Sequence, residues 1–204
     1  MKSKVAIAVF CLTATTRLHA QSPSERAERL WVRWADHLPA WCLYTQAFPG
    51  GTYSPLWQSP RSDEYMRFFG PTFGTMHHYC WGLAHTHAAS LTDDTTEQEF
   101  NFAAAIQEFN FVLNRAPDDF RLKPELYVHK GAAQEALEDY FGAVTSYTDA
   151  IRLNGEYEPA YIGLSNCFEE LGEPQEALAI IDAGLQRVPG SEVLLVRREE
   201  LASP

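Results

Sequence analysis

The chain lacks the local signatures that carry most enzyme chemistry. It has no GxSxG elbow, no phosphate-binding glycine loop, no dinucleotide fingerprint, no HExxH pair, no CxxC and no haem-attachment signature. It has no apolar run long enough to cross a bilayer. Cationic residues are scarce: 16 Lys and Arg stand against 27 Asp and Glu, a formal charge of −11. That balance excludes nucleic acid, whose phosphates must be neutralised by Lys and Arg. It also excludes an anionic membrane surface. Cysteine is sparse too, with 4 in 204 residues.

What is present begins with a leader. Lys2 and Lys4 precede an apolar run, Val5 to Leu12, and a small, polar exit from Thr13 to Ala20. This is a secretory signal pattern, with cleavage expected after Ala20. Leu18 is less usual than Ala at the third position back, and Phe10 is too bulky for Cys11 to serve as a lipoprotein signal. Export, most simply to a periplasm, is therefore expected. Without residues 1–20 the chain carries 13 basic and 27 acidic residues, a net charge of −14. A soluble, self-repelling protein with neutral or basic partners fits that charge.

Three cysteines then remain: Cys42, Cys80 and Cys167. An odd count in an oxidising compartment implies one pair and one free thiol. Cys167 lies in a helical repeat where small buried residues belong, so Cys42 pairs with Cys80; three buried thiols are the alternative. Closing that loop is worth roughly 3–4 kcal/mol in the chain-entropy view.

Residues 21–74 form an N-terminal region of two characters. Ser22 to Leu38 reads as a helix, with Leu30, Trp31, Trp34 and Leu38 along one face. From Pro39 to Gly74, prolines and glycines alternate with rings, among them Trp41, Tyr44, Phe48, Tyr53, Trp57, Tyr65, Phe68, Phe69 and Phe73. A flexible linker does not carry so many rings. The stretch reads as an ordered, irregular cap, with a short helix at 62–69.

The second half repeats itself. Leu126-Tyr127 and Ala160-Tyr161 are 34 residues apart, as are Leu137 and Leu171, Ala143 and Ala177, and Ile151 and Leu185. A fixed period of that size marks stacked helix pairs. Pro124, Pro159 and Pro174 sit where a first helical residue tolerates a missing N–H. The pairs fall at 124–137 with 140–153, and at 158–171 with 174–187. Pro189-Gly190 ends the pattern, and Ser191 caps a last helix whose Arg197, Arg198, Glu199 and Glu200 give a polar outer face.

These residues resemble the tetratricopeptide repeat. Tyr161, Leu164, Phe168, Gly172, Ala177, Ile181, Gly184 and Pro189 stand at its signature spacing, as do Tyr127, Gly131, Tyr140, Ala143, Tyr147 and Ala150. The earlier unit departs at Lys130, Gln134 and Gly155. A degenerate unit precedes both. Ala105, Ile106, Phe109, Val112 and Leu113 mirror Ala143, Val144, Tyr147, Ala150 and Ile151 at an offset of 38. Its first helix is expected at 75–90, its second from about 97 to 115, and the insertion LTDDTTEQEF lies between them. The expected architecture is all-α: a short solenoid of the tetratricopeptide kind with an irregular aromatic, Pro- and Gly-rich N-terminal segment. Its parts are a leader at 1–20, a cap at 21–74, a degenerate pair at 75–117, two repeats at 118–190 and a closing helix at 191–204.

The resemblance implies a non-enzymatic scaffold that holds a protein or peptide in a concave groove lined by the first helix of each repeat. By register the groove residues are Glu125, Val128, Ala132 and Glu135, then Ile162, Asn166 and Glu169. Glu135 and Glu169 share one repeat position, an acidic rail suited to a basic partner. No cofactor is implied, and an envelope assembly is the expected setting. Two other readings stay open. His77, His78, His85 and His87 lie in one helix near Cys80 and could hold a metal, although their spacing is poor for one and packing against aromatics explains them as well. Alternatively, exposed rings in 41–73 could join two copies into a homo-oligomer.

Overall fold

A computed structural model of the chain describes residues 37–46, 54 and 56–202. The leader, most of the expected first helix, and Phe48 and Tyr53 lie outside the described residues. Among those described, the structure is helical without a strand. A 3₁₀ turn, Ala40–Tyr44, comes first. Helix α1, Pro60–Phe69, runs through a second 3₁₀ stretch, Gly70–Thr75, into α2, Met76–Ala89. Then come α3, Thr95–Leu113; α4, Lys123–Ala136; α5, Tyr140–Leu153; α6, Glu158–Glu170; α7, Pro174–Arg187; and α8, Glu192–Ala202.

Helix starts follow capping chemistry. Ser59 Oγ accepts from Ser62 N (3.2 Å) to open α1, Asp139 Oδ1 accepts from Gly142 N (3.1 Å) for α5, and Ser191 Oγ accepts from Leu194 N (3.2 Å) for α8. Asp94 does the same for α3 through Thr96 N and Glu97 N. That cap starts α3 at Thr95, two residues before the expected 97, so the loop expected at 91–96 is slightly shorter, and α3 runs 19 residues against 14 in α5 and α7.

The helices stack as three antiparallel pairs, α2 with α3, α4 with α5 and α6 with α7, each pair leaning on the next; α8 packs on α7 and α6. Aromatic knobs from the second helices seat on small residues of the first ones. Phe109 lies over Gly82, where a Cβ would meet its ring at 2.4 Å. Tyr147 lies between Gly131 and Gly163, where the corresponding approaches are 2.9 and 2.2 Å. Each such buried ring is worth about 1.5–3 kcal/mol of apolar burial, and the glycines are what let the helices close on it. The turn after α6 uses Gly172 at φ +78°; the equivalent turn after α4 places Glu138 there at φ +59°.

The irregular N-terminal segment is fastened to the first pair. Cys42 and Cys80 form a disulfide with Cα atoms 5.9 Å apart, as the sequence predicts. Trp41 packs on Phe69 and Tyr79 (5.2 and 5.4 Å between ring centres), and Phe73 stacks on Phe69 and Trp57 (5.8 Å each). Its polar groups find partners: Thr45 Oγ1 donates to the Cys42 carbonyl (2.8 Å) and Ser54 Oγ to that of Leu43 (2.6 Å). The described rings of this segment mostly turn inward. Phe68 is the exposed one (57%), with the Arg121 guanidinium 4.4 Å above it.

Candidate functional site

The seat of Phe109 on Gly82 fixes the register that the sequence left open for the first pair. Met76, Tyr79 and Gly82 stand 49 residues before Glu125, Val128 and Gly131. Met76 and Tyr79 therefore take the groove positions in α2 that Glu125 and Val128 take in α4. Both are shut off from solvent, at 0% and 1% exposure. Trp41 covers Tyr79, and the tyrosine hydroxyl donates to Glu125 Oε1. The front of the groove is thus filled by the protein's own aromatic segment.

The rest stays open. Ala132, Glu135, Ile162 and Asn166, four of the residues expected from register, line one cavity of about 520 Å³ together with Tyr140, Tyr147 and Glu170. Pro159 and Ile162 continue into a second cleft of about 710 Å³ between α6 and α8, closed on the far side by Val193 and Val196. The sequence reading took α8 as a cap alone and missed these valines. The signal was available: Val193 and Val196 follow Pro159 and Ile162 by the same 34 residues. Helix α8 thus keeps the register of a first helix and lines the cleft with α6. Glu199 stands on it 34 residues after Ser165, where the earlier units have Ser165 and Gly131.

The remaining groove candidates are placed differently. Val128 is half-buried against the core of α5 and α6. Glu125, besides the Tyr79 hydroxyl, faces His129 Nε2 at 3.7 Å and lines an aromatic hollow with Trp41 and Phe68. His129 beside it, and then the bond from Tyr79, hold its carboxyl below the usual range against the effect of burial. Glu169 is paired with Arg197 (2.5 Å), which also reaches Glu200 (3.3 Å) and Ser165 Oγ (3.3 Å). Glu135 accepts from the Tyr147 hydroxyl (2.8 Å). Burial pushes its carboxyl up, with Glu170 adding, while bonds from Tyr147 and Asn166 and the charge of Arg197 oppose. Glu135 and Glu170, not Glu135 and Glu169, are the carboxylates that share the open cavity.

The histidines of α2 go to separate partners. His78 Nδ1 meets Glu108 Oε2 at 2.5 Å, and His85 Nδ1 meets Asn101 Oδ1 at 2.9 Å. His77 stacks edge-on against Trp81 (5.1 Å), and its Nδ1 is buried without a hydrogen-bond partner. His87 has His37 beside it (5.1 Å). Among the described residues no three His, Cys, Asp or Glu side chains are placed to share a metal ion, and Cys80 is committed to its disulfide. The buried Cys167 thiol is pushed up to about 12, chiefly by burial, which keeps it from acting as a thiolate. The open groove offers aliphatic floor, carboxylates, an amide and phenol hydroxyls, a set suited to noncovalent binding.

Solved structures resemble this arrangement. The crystal structure of TTC0263, a thermophilic TPR protein in Thermus thermophilus, aligns with a TM-score of 0.55 at 16% identity, over 69% of this chain and 70% of that one. The fold is TPR-like. The second TPR domain of human RPAP3, determined in complex with an HSP70 peptide, aligns at 0.44 and 17% identity, over 60% of this chain and 99% of that one. MamA aligns at 0.44 and 14%, over 71% and 84%. No family model matches the chain, and no curated protein matches it.

Proposed function

We propose that this protein is an interaction scaffold that holds a protein or peptide segment in the groove formed by α4, α6 and α8. The observation that carries this is the convergence of Ala132, Glu135, Ile162 and Asn166 on one open cavity, continuous with the α6–α8 cleft, while the matching positions of α2 are filled from within. A groove of this depth with an apolar floor and few polar groups is the usual form of a peptide-binding site.

The setting is the cell envelope, reached by the leader at 1–20. The Cys42–Cys80 disulfide supports that reading, since such bonds persist in oxidising compartments. The partner is a component of an envelope assembly. Chemistry at the groove is binding without turnover.

The test is affinity capture from an envelope extract with the wild-type protein, with Asn166→Arg in the groove, and with Phe141→Ser on the exposed side of α5, where Phe141 is 77% exposed. A partner held by wild type and Phe141→Ser but released by Asn166→Arg supports the groove. A partner indifferent to Asn166→Arg, yet lost on Phe68→Ser, would move the site to the aromatic segment.

A further inference from the structure

The groove has a chemistry of its own beyond its shape. Its α6–α8 end is aliphatic: Pro159 and Ile162 face Val193 and Val196, and the two valines are 53% and 56% exposed. Two half-uncovered valines three residues apart on one helix face, opposite an isoleucine, leave apolar area in water that a partner side chain would cover at about 25 cal/mol per Å². The α4–α6 end is anionic. Glu135 and Glu170 border one cavity, and the ion pairs among the described residues give neither of them a cation. The cation that lines the groove, Arg197, is already shared between Glu169 and Glu200. It therefore leaves little free positive charge to receive an acidic ligand.

We infer that the groove selects a cationic, aliphatic segment of its partner: a Lys or Arg seated between Glu135 and Glu170, and a Val, Leu or Ile seated against Ile162, Val193 and Val196. This rests on the groove reading above and narrows it to one class of partner. An acidic tail meets Glu135, Glu170, Glu158 and Glu192 with no unpaired cation among the described residues that line the groove, and like charges so placed cost several-fold to many-fold in affinity. The charge of the mature chain, −14, adds long-range steering of the same sign.

The test is selection of a random twelve-residue peptide library on the immobilised mature protein, followed by affinity measurement of the selected peptides. The expected sequences are enriched in Lys or Arg beside an aliphatic residue. Their affinity falls about tenfold or more on joint Glu135→Gln and Glu170→Gln and on Val196→Asp, falls with added salt, and is unmoved by Phe141→Ser. Peptides that need the groove, being lost on Asn166→Arg, but show no enrichment in Lys or Arg would overturn this inference and leave the scaffold reading standing. Peptides indifferent to Asn166→Arg, or no selection above background, would overturn both. Concentration-dependent dimerisation of the protein abolished by Val196→Asp would assign the cleft to a second copy and overturn the peptide occupant.

Discussion

At the scale of single residues, the two repeat units offer an internal comparison. Gly172 and Glu138 occupy the same turn, both left-handed, at φ +78° and +59°. Glycine adopts that conformation freely, whereas a glutamate there costs about 1–2 kcal/mol, partly offset by the greater freedom glycine brings to the unfolded chain. Glu138→Gly should therefore stabilise the protein by about 0.5–1 kcal/mol, read as a rise in Tm of a few degrees. The opposite holds at Gly163. Alanine there is a better helix former, yet its Cβ would lie 2.2 Å from a Tyr147 ring that Gly131 blocks from behind. Gly163→Ala should destabilise by about 1–3 kcal/mol, and the penalty should shrink when Tyr147 is first replaced by Leu. Chemical denaturation of the two single variants and the double variant checks this.

His77 gives the protein a dependence on pH. Burial, with His78 adding, lowers its imidazole from an ordinary 6.5 to about 4. The unfolded chain takes up this proton as pH falls through 6.5, while the folded chain refuses it until about 4. Stability from this site is complete above pH 6.5 and declines as pH falls toward 4, by an amount on the order of 1–2 kcal/mol once partial exposure is allowed for. His77→Phe, which also removes the unpartnered Nδ1, should flatten that part of the stability profile. An unchanged profile would show that His77 is not the group responsible.

At the scale of elements, the later helices were legible because their starts have local causes. Pro124, Pro159 and Pro174 begin α4, α6 and α7, Asp139 and Ser191 cap α5 and α8, and a 34-residue period ties the units together. The Cys42–Cys80 pairing was also within reach, since elimination leaves few choices. What the sequence could not give was the contact of an irregular segment with a distant helix. Nothing local in Trp41 or Tyr79 says that one covers the other and fills the first groove position. The start of α3 at Thr95 rather than the expected 97 follows from Asp94, whose carboxylate caps the helix. Joint replacement of Cys42 and Cys80 by Ala should cost about 3–4 kcal/mol. Hydrogen exchange should quicken first in 40–46 and 56–75, while α6 and α7 keep their protection. Uniform loss of protection would mean the segment is integral to the whole solenoid.

At the scale of the whole molecule, each helix pair touches mainly its neighbours; the aromatic segment covers Met76 and Tyr79 of α2 at one end, while the cavity between α4 and α6 and the cleft between α6 and α8 stay open. Ala132, Glu135, Ile162 and Asn166, named from the repeat register, line one cavity. The register alone does not show that Val193 and Val196 of α8 line the neighbouring cleft, or that Glu170 lines the cavity while Glu169 pairs with Arg197; adjacent residues on a helix differ by about 100° in direction. The formal charge of −11 is a property of the whole chain, and binding should weaken steadily as ionic strength rises toward and beyond the point where the Debye length is about 8 Å.

The most direct measurement is hydrogen–deuterium exchange of the protein with and without its bound partner segment. The account predicts added protection along α4, α6 and α8, centred on the peptides that contain Ala132, Ile162 and Val196, with residues 56–75 unchanged. Protection confined to 56–75 and the turn before α4 around Arg121 would place the binding surface on the aromatic segment and contradict the groove.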